Sequence, residues 1–134
     1  MSQSIATKYG WRSGLEERVA GELTSAAVPF RYEAKEDVVK YSKPERVSRY
    51  TPDFAIRTAS GKEIIVETKG RFLTADRQKH LLIQKQHPHL DIRFVFSYSR
   101  SKIAKGSKTT YAMWCEKNGF KYADKSVPEA WLKE

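Results

Sequence analysis

The stretch of sequence at residues 50–70, YTPDFAIRTASGKEIIVETKG, decides the fold. Apolar and β-prone residues fill two runs, at 50–56 and 63–67, and Ser60-Gly61 between them is a typical turn pair. The pattern predicts two strands that pair as a hairpin. Such pairing places the beginning of the first strand beside the end of the second.

Three ionisable side chains lie at those two ends. Asp53 stands near the beginning of the first predicted strand, and Glu67 and Lys69 end the second. Because residues two apart on a strand point to the same face, we expect the three groups to converge at one sheet edge. Carboxylates are ligands that Mg²⁺ prefers, and a lysine can orient a water or neutralise charge on a phosphate. The pattern predicts a metal-dependent phosphodiester hydrolase.

Each half of this motif also has an ordinary structural explanation. Pro52-Asp53 is a common turn pair, and Glu-x-Lys on a strand can be an exposed ion pair. Taken together, on two apolar strands joined by a turn in a basic chain, the two halves favour the metal site. At a twisted strand end, the backbone carbonyl of Thr68 is a further candidate ligand.

The rest of the chain is predicted to alternate helices and strands. Ser13 and Glu16 form a capping-box pattern that begins a helix through about residue 27. A strand is expected at 30–33. The stretch at 37–50 is interrupted by Pro44 and is typical of an edge strand or a connecting ribbon.

Two further helices, at 75–86 and 108–118, are interleaved with strands at 92–96 and 120–122. In the helix at 75–86 we expect one face to point inward, formed by Ala75, Leu81 and Leu82. The opposite face is expected to carry Arg77, Lys79 and Lys85. The order of elements predicts an α/β fold, a mixed sheet flanked by helices.

The composition indicates one folded domain that binds a polyanion. The chain has 134 residues, which we interpret as a single domain with a loose tail at 1–10, and its formal net charge is +9. Such a charge favours nucleic acid as the partner. The single cysteine, Cys115, excludes an internal disulfide and suits the cytoplasm, and no apolar run approaches membrane-spanning length.

A basic loop at residues 97–108 contains several serines and no acidic residue, a composition that suits DNA phosphates. A solvated loop is the alternative. Arginines that flank the predicted catalytic elements are further candidates. The expected DNA contacts are Arg12, Arg71, Arg77, Arg100, Lys102, Lys105 and Lys108.

Glu16 has two interpretations, as half of a helix cap or as a further carboxylate near the metal, and the residue pattern alone favours the cap. His80, His87 and His89 form no zinc pattern with Cys115, so we expect surface or packing roles. Trp11 and Trp131 are expected to form packing or dimer contacts.

The chain resembles the phage endonuclease I family, the Holliday-junction resolvases of T-odd-type podophages, within the PD-(D/E)xK nuclease superfamily. Matching segments occur in the same order along most of its length. The region from 36 to 49 matches poorly. The matching segments are RSGLE at 12–16, YTPDF at 50–54, VETKG at 66–70, DR at 76–77, KHLLI at 79–83, QHP at 86–88, LDIR at 90–93, VFS at 95–97, WCEK at 114–117 and ADK at 123–125.

The resemblance implies a restriction-endonuclease-like core of αβββαβ order in an intertwined, domain-swapped homodimer, with residues 37–50 as a β-bridge between subunits. Each active site would combine Asp53, Glu67 and Lys69 of one chain with Glu16 of the other, which reverses the interpretation of Glu16. The site would hold two Mg²⁺ ions, replaceable by Mn²⁺, through Glu16, Asp53, Glu67 and Thr68.

The implied activity is paired cleavage of branched DNA, especially four-way junctions, in the cytoplasm of an infected host. Two other functions stay open on the residues alone. One is a restriction-like or mismatch-nicking nuclease with the same catalytic centre. The other is a non-catalytic protein that binds branched DNA.

Overall fold

A mixed sheet forms the centre of the fold in this computed structural model, which describes residues 11, 13–43 and 46–134. The sheet has five strands in the order β1-β4-β5-β6-β7. In chain order the elements are α1 (Gly14–Ser25), β1 (Phe30–Tyr32), a 3-10 turn (Lys35–Asp37), β2 (Val39–Lys43), β3 (Arg46–Tyr50), β4 (Phe54–Arg57), β5 (Glu63–Lys69), α2 (Thr74–Gln86), β6 (Ile92–Phe96), α3 (Tyr111–Asn118), β7 (Lys121–Asp124) and α4 (Glu129–Leu132).

Strands β1, β4 and β5 are antiparallel neighbours, and β6 and β7 continue beside β5 as parallel strands. The predicted α/β class and the predicted order of helices and strands are confirmed. Since parallel strands end at the same side of a sheet, the carboxyl ends of β5, β6 and β7 lie together.

The predicted hairpin forms, with one change at its beginning. β4 and β5 pair with Phe54 opposite Val66, and Gly61 takes a positive φ of 87° in the turn. The predicted first strand began at Tyr50, and this boundary is wrong because Tyr50 ends β3 instead. Pro52 has no amide hydrogen to donate, which explains why the ladder resumes only at Phe54.

The ribbon at 37–50 forms a two-stranded antiparallel sheet, β2 with β3, while Pro44 and Glu45 lie outside the described residues. It packs against the end of α2, where the Gln86 side chain accepts from the Ser42 amide and donates to the Ser42 carbonyl, each at 2.7 Å. Within one chain the ribbon therefore covers its own helix. A bridge to a second chain stays a prediction.

Helix α1 begins as predicted. The Ser13 hydroxyl oxygen accepts a 3.1 Å hydrogen bond from the Glu16 amide and so caps the first turn. The Glu16 carboxylate accepts from the Tyr32 hydroxyl at 2.7 Å. Val19 and Leu23 are fully buried on the inner face. The helix ends at Ser25, slightly before the predicted boundary.

The predicted inner face of α2 is wrong for Ala75 and Leu81, whereas Leu82 is partly buried against the core as predicted. The buried residues are Arg77, His80 and Ile83, whereas Ala75 and Leu81 are exposed. The Arg77 guanidinium is buried because it donates to the Phe72 carbonyl at 2.6 Å and also bonds Thr74 and Ile103. Polar partners inside the fold therefore rotate the helix away from the orientation that hydropathy alone predicts.

The sheet is buried on both faces, and β5 alternates between them. Ile65 joins a core that includes the inner faces of α2, α3 and the ribbon, and Ile64 and Val66 join a core with α1 and α4. This two-sided burial explains why every residue of β6 is buried. Gly119 ends α3 in the left-handed conformation.

The expected packing residues lie in these cores. Trp11 packs edge-on against Tyr32 with 4.0 Å between ring centroids, and Trp131 is buried in the core with α1. Burial raises the pKa of Cys115 to about 12, which suits an inert core thiol. Among the described residues, no helix has the length and apolar character that crossing a bilayer requires.

Candidate active site

Reciprocal hydrogen bonds join the two halves of the sequence motif where β4 begins and β5 ends, in the interior of the sheet. The Asp53 amide donates to Glu67 Oε2 at 2.8 Å. In return, the Thr68 amide and the Thr68 hydroxyl each donate to Asp53 Oδ2 at 2.9 Å. The structure thus brings Asp53 and Glu67 together and fixes both carboxylates through backbone amides.

Lys69 lies on the same face of β5 as Glu67, as the two-residue spacing predicts. Its Nζ is 4.0 Å from Glu67 Oε1 and 3.4 Å from Asp76 Oδ1. The lysine side chain is 16% exposed, so it can still reach a ligand in the cleft. The three residues of the predicted catalytic set therefore meet in one chain.

Two further carboxylates approach Asp53. Single oxygens of Glu16, Glu33 and Asp53 all lie within 4.8 Å of one another, a spacing that suits a shared cation. This Glu16 belongs to the same chain, whereas the resemblance implies the partner's. Its supply by a second chain stays a prediction.

Glu33 is a site residue that sequence reasoning missed. Its amide donates to the Asp53 carbonyl at 3.1 Å, and its backbone takes a positive φ of 45°. The register that pairs Tyr32 with Phe54 sets Glu33 beside Asp53. The pairing of β1 with β4, which the chain order did not reveal, was the missing information.

The site disfavours negative charge unless a cation balances it. Burial, followed by the nearby Asp53 carboxylate, raises the pKa of Glu67 to about 8. Burial is also the largest cause of the raised pKa of Asp53, and of Glu16. Clustered hard oxygen donors fit a divalent metal ion, and the side chains that could hold it are Asp53, Glu67, Glu16 and Glu33.

Helix α2 brings three more side chains to the site from a single face, and sequence reasoning did not assign Asp76 or Lys79 there. Asp76 contacts Lys69, Lys79 lines the cleft, and His80 Nε2 lies 3.9 Å from Glu67 Oε1. Burial and the nearby Lys69 lower the pKa of Lys79. Lys79 and His80 follow Asp76 by three and four residues in the helix directly after β5. This spacing, which places the three side chains on one helix face, was the signal that could have found them.

These groups line an open cleft of about 410 Å³ that is bordered mainly by polar side chains. Acidic residues and lysines face one another across it, an arrangement that can bind a metal ion and a phosphate group together. The residues along the cleft are Ser13, Glu16, Thr51, Asp53, Glu67, Thr68, Lys69, Gly70, Asp76 and Lys79.

Most of the predicted DNA contacts are exposed, and one is not. Arg71, Arg100, Lys102, Lys105 and Lys108 are exposed, which leaves their predicted role open, and Arg12 lies outside the described residues. Arg77 was predicted to point outward, and this is wrong. It is 8% exposed and its guanidinium bonds backbone carbonyls, so we remove it from the set of phosphate contacts.

The basic loop that follows β6 begins beside Lys69. The Ser97 amide donates to the Lys69 carbonyl at 3.1 Å. Asp124 then anchors the loop, because its carboxylate accepts from the Ser99 amide at 2.7 Å and from the Ser99 hydroxyl at 2.9 Å. The exposed cations of this loop therefore extend from a fixed point next to the cleft.

Comparison with known proteins places the chain among characterised phage proteins. The family model described as phage endonuclease I matches residues 1–134. The chain is 51% identical over 133 residues to endonuclease I of Escherichia phage T7, covering 99% of this chain and 85% of that protein. It is 50% identical over 124 residues to endodeoxyribonuclease 1 of Enterobacteria phage T3, covering 92% of this chain and 78% of that protein.

Proposed function

Because this chain belongs to the phage endonuclease I family, we propose that it is a metal-dependent endodeoxyribonuclease of the PD-(D/E)xK type. The observation that supports this proposal best is the set of hydrogen bonds that joins Asp53 with Glu67 and Thr68, beside Lys69. The names of the T7 and T3 relatives, an endonuclease and an endodeoxyribonuclease, support hydrolysis of DNA. The mixed sheet with a helix before and after the catalytic hairpin agrees with a restriction-endonuclease-like core.

The metal would be Mg²⁺, replaceable by Mn²⁺, with two ions in each site. Asp53, Glu67 and the Thr68 carbonyl are the proposed ligands of one ion, and Asp53 with Glu16 those of the other. When bound, these ions would polarise the scissile phosphate and activate a water. The raised pKa values of Glu67 and Asp53 support this assignment, since a cation in the cleft offsets the cost of their buried charges.

Lys69 would contact the scissile phosphate or the attacking water. Asp76, at 3.4 Å from Nζ, restricts where the lysine can point. A cation held at this position stabilises negative charge that develops on the phosphate oxygens. The chain's own residues would thus supply both halves of the chemistry, carboxylates for the metal and an ammonium group for the phosphate.

The proposed substrate is branched DNA, particularly four-way junctions, bound in the cytoplasm of an infected cell. The net charge of +9 and the exposed cations of the loop after β6 support binding to phosphates. Contacts to phosphates select DNA shape and carry no direct sequence information. Such contacts suit an enzyme that recognises a branch point.

A homodimer that exchanges segments would supply two equivalent sites for paired incisions. In that arrangement α1 and β1 would pack on β4 and β5 of the partner chain, with the β2–β3 ribbon as the connection. Domain exchange remakes the same contacts between chains that one chain forms alone. The short spacing between Glu16 and Asp53 is therefore compatible with the exchanged dimer.

The test is cleavage of an end-labelled four-way junction with Mg²⁺, beside a linear duplex of the same arm sequence. Asp53→Asn is the matched control because it preserves the size of the side chain. Paired cuts in the junction alone, and none by the variant, are the expected result. Equal cutting of both substrates would leave a nuclease without structure selectivity, and binding without cutting by the wild type would refute the catalytic assignment.

A further inference from the structure

His80 is a fully buried polar residue in contact with the candidate site. It lies in α2 at 0% exposure, edge-on to the ring of Tyr50 at 5.1 Å and to that of Phe94 at 4.9 Å between centroids. Among the described residues, neither of its ring nitrogens has a hydrogen-bond partner. A buried polar group without a hydrogen-bond partner destabilises a fold, so a histidine enclosed by aromatic rings needs an explanation beyond packing.

The Glu67 carboxylate lies close to this histidine. His80 Nε2 lies 3.9 Å from Glu67 Oε1, which is longer than a hydrogen bond and short enough for one to form after a small shift. The other oxygen, Oε2, already accepts from the Asp53 amide. The carboxylate therefore accepts from a backbone amide at Oε2, and both the Tyr50 side chain and the imidazole lie near it.

A histidine ring always carries at least one N–H, which can donate a hydrogen bond to the Glu67 carboxylate. The 3.9 Å separation between Nε2 and Oε1 shows where that hydrogen bond would form.

We propose that His80 is the positioning residue for Glu67, and that its Nε2–H donates to Oε1 when Glu67 holds the metal ion. This inference rests on the proposed function. A donor behind a ligand carboxylate fixes its orientation, and removing such a partner typically weakens metal binding by about 10- to 100-fold. The helix then holds both ends of the Glu-x-Lys motif, since Asp76 contacts Lys69 one turn earlier.

The decisive comparison is between His80→Gln and His80→Asn. The amide nitrogen of glutamine reaches about as far as Nε2, whereas that of asparagine reaches only about as far as Nδ1. Mn²⁺ affinity is measured by calorimetry without DNA. We expect His80→Gln to remain within about threefold of the wild type and His80→Asn to bind about tenfold more weakly or worse.

Phe94→Leu is the packing control, because Phe94 contacts the same imidazole and carries no polar atom. It should lower the Tm and leave Mn²⁺ affinity unchanged. Equal Mn²⁺ affinity in His80→Asn and the wild type would overturn the role of His80, as would an equal loss in Phe94→Leu. Absence of Mn²⁺ binding by the wild type itself would instead refute the proposed metal site, and the role of His80 with it.

Discussion

The Asp53 amide donates a 2.8 Å hydrogen bond to the Glu67 carboxylate. This bond links the beginning of β4 to the end of β5, and both residues are also proposed as metal ligands. The Thr68 amide and hydroxyl return two bonds to the Asp53 carboxylate. Carboxylates held by amide donors keep their orientation before any cation arrives. The hairpin itself therefore organises the site. Substitutions in the site can be interpreted without assuming a large rearrangement of the backbone.

Glu67→Gln is expected to make the metal-free protein more stable than the wild type as the pH rises from about 5 to about 8. The pKa of Glu67 is raised to about 8 in the folded protein, against 4.5 ordinarily. Between these values the folded state binds more protons than the unfolded chain, so the free energy of unfolding falls with rising pH. Glutamine cannot ionise and avoids that loss.

Urea unfolding in EDTA at several pH values measures the effect. The two proteins should differ little near pH 5 and by a few kcal/mol near pH 8. Mg²⁺ added at pH 8 should stabilise the wild type and have little effect on the variant. Parallel stability curves across this range would contradict the assigned pKa shift.

Asp76→Asn is expected to slow cleavage by about tenfold without lowering the Tm. Asp76 has two separate contacts, Oδ1 with Lys69 Nζ at 3.4 Å and Oδ2 with the Leu73 amide at 3.0 Å. Asparagine can retain the contact that caps α2 and loses the charge that restrains Lys69. Single-turnover rates on a junction substrate, with melting curves, measure the two roles.

Asp76→Ala is the matched variant because it removes both contacts. It should slow cleavage and also destabilise the protein by about 1 kcal/mol, the usual contribution of a helix cap. A wild-type cleavage rate in Asp76→Asn would show that Lys69 does not need its carboxylate partner.

Arg77→Met should destabilise the fold and leave the salt dependence of DNA binding unchanged. The buried guanidinium donates to the Phe72 carbonyl at 2.6 Å, and its loss leaves buried acceptors without donors. The expected cost is about 1–3 kcal/mol.

Lys102 is exposed, so Lys102→Ala should have little effect on stability and reduce the slope of log affinity against log salt by about 0.9.

Chemical denaturation and fluorescence anisotropy at several salt concentrations separate these outcomes. A reduced salt slope in Arg77→Met, with unchanged stability, would return Arg77 to the set of phosphate contacts. An unchanged slope in Lys102→Ala would remove Lys102 from that set.

Mixed dimers test whether Glu16 serves its own chain or its partner. Glu16→Ala and Asp53→Ala are each expected to be inactive alone. If segments are exchanged, refolding the two variants together forms one complete site per mixed dimer, and single nicks in a labelled junction should appear on a denaturing gel. Mixing that restores no nicking would assign Glu16 to the site of its own chain.

The β4–β5 hairpin and the class of fold could be predicted from the sequence because they depend on local patterns. The turn at Ser60-Gly61 and the two-residue spacing of Glu67 and Lys69 act over short distances. Glu33 could not be found in this way. Its place beside Asp53 depends on the pairing of β1 with β4, a contact between strands that are distant in the chain.

Helix α2 shows a second reason why part of the structure could not be predicted from the sequence. Hydropathy assigned Leu81 to the inner face and Arg77 to the outer, whereas Leu81 is 36% exposed and Arg77 is buried. Arg77 is inside because carbonyl groups of the neighbouring loops accept its hydrogen bonds. No periodicity rule contains that information, since the acceptors belong to residues outside the helix.

The buried guanidinium of Arg93 stabilises the end of the sheet that lies away from the candidate active site. It lies near the beginning of β6, where Asp91 and Glu134 accept its hydrogen bonds at 2.6 to 2.9 Å. The proposed chemistry lies at the opposite ends of the parallel strands, near Lys69. Thermal stability could therefore be engineered at one end of the molecule without altering turnover at the other.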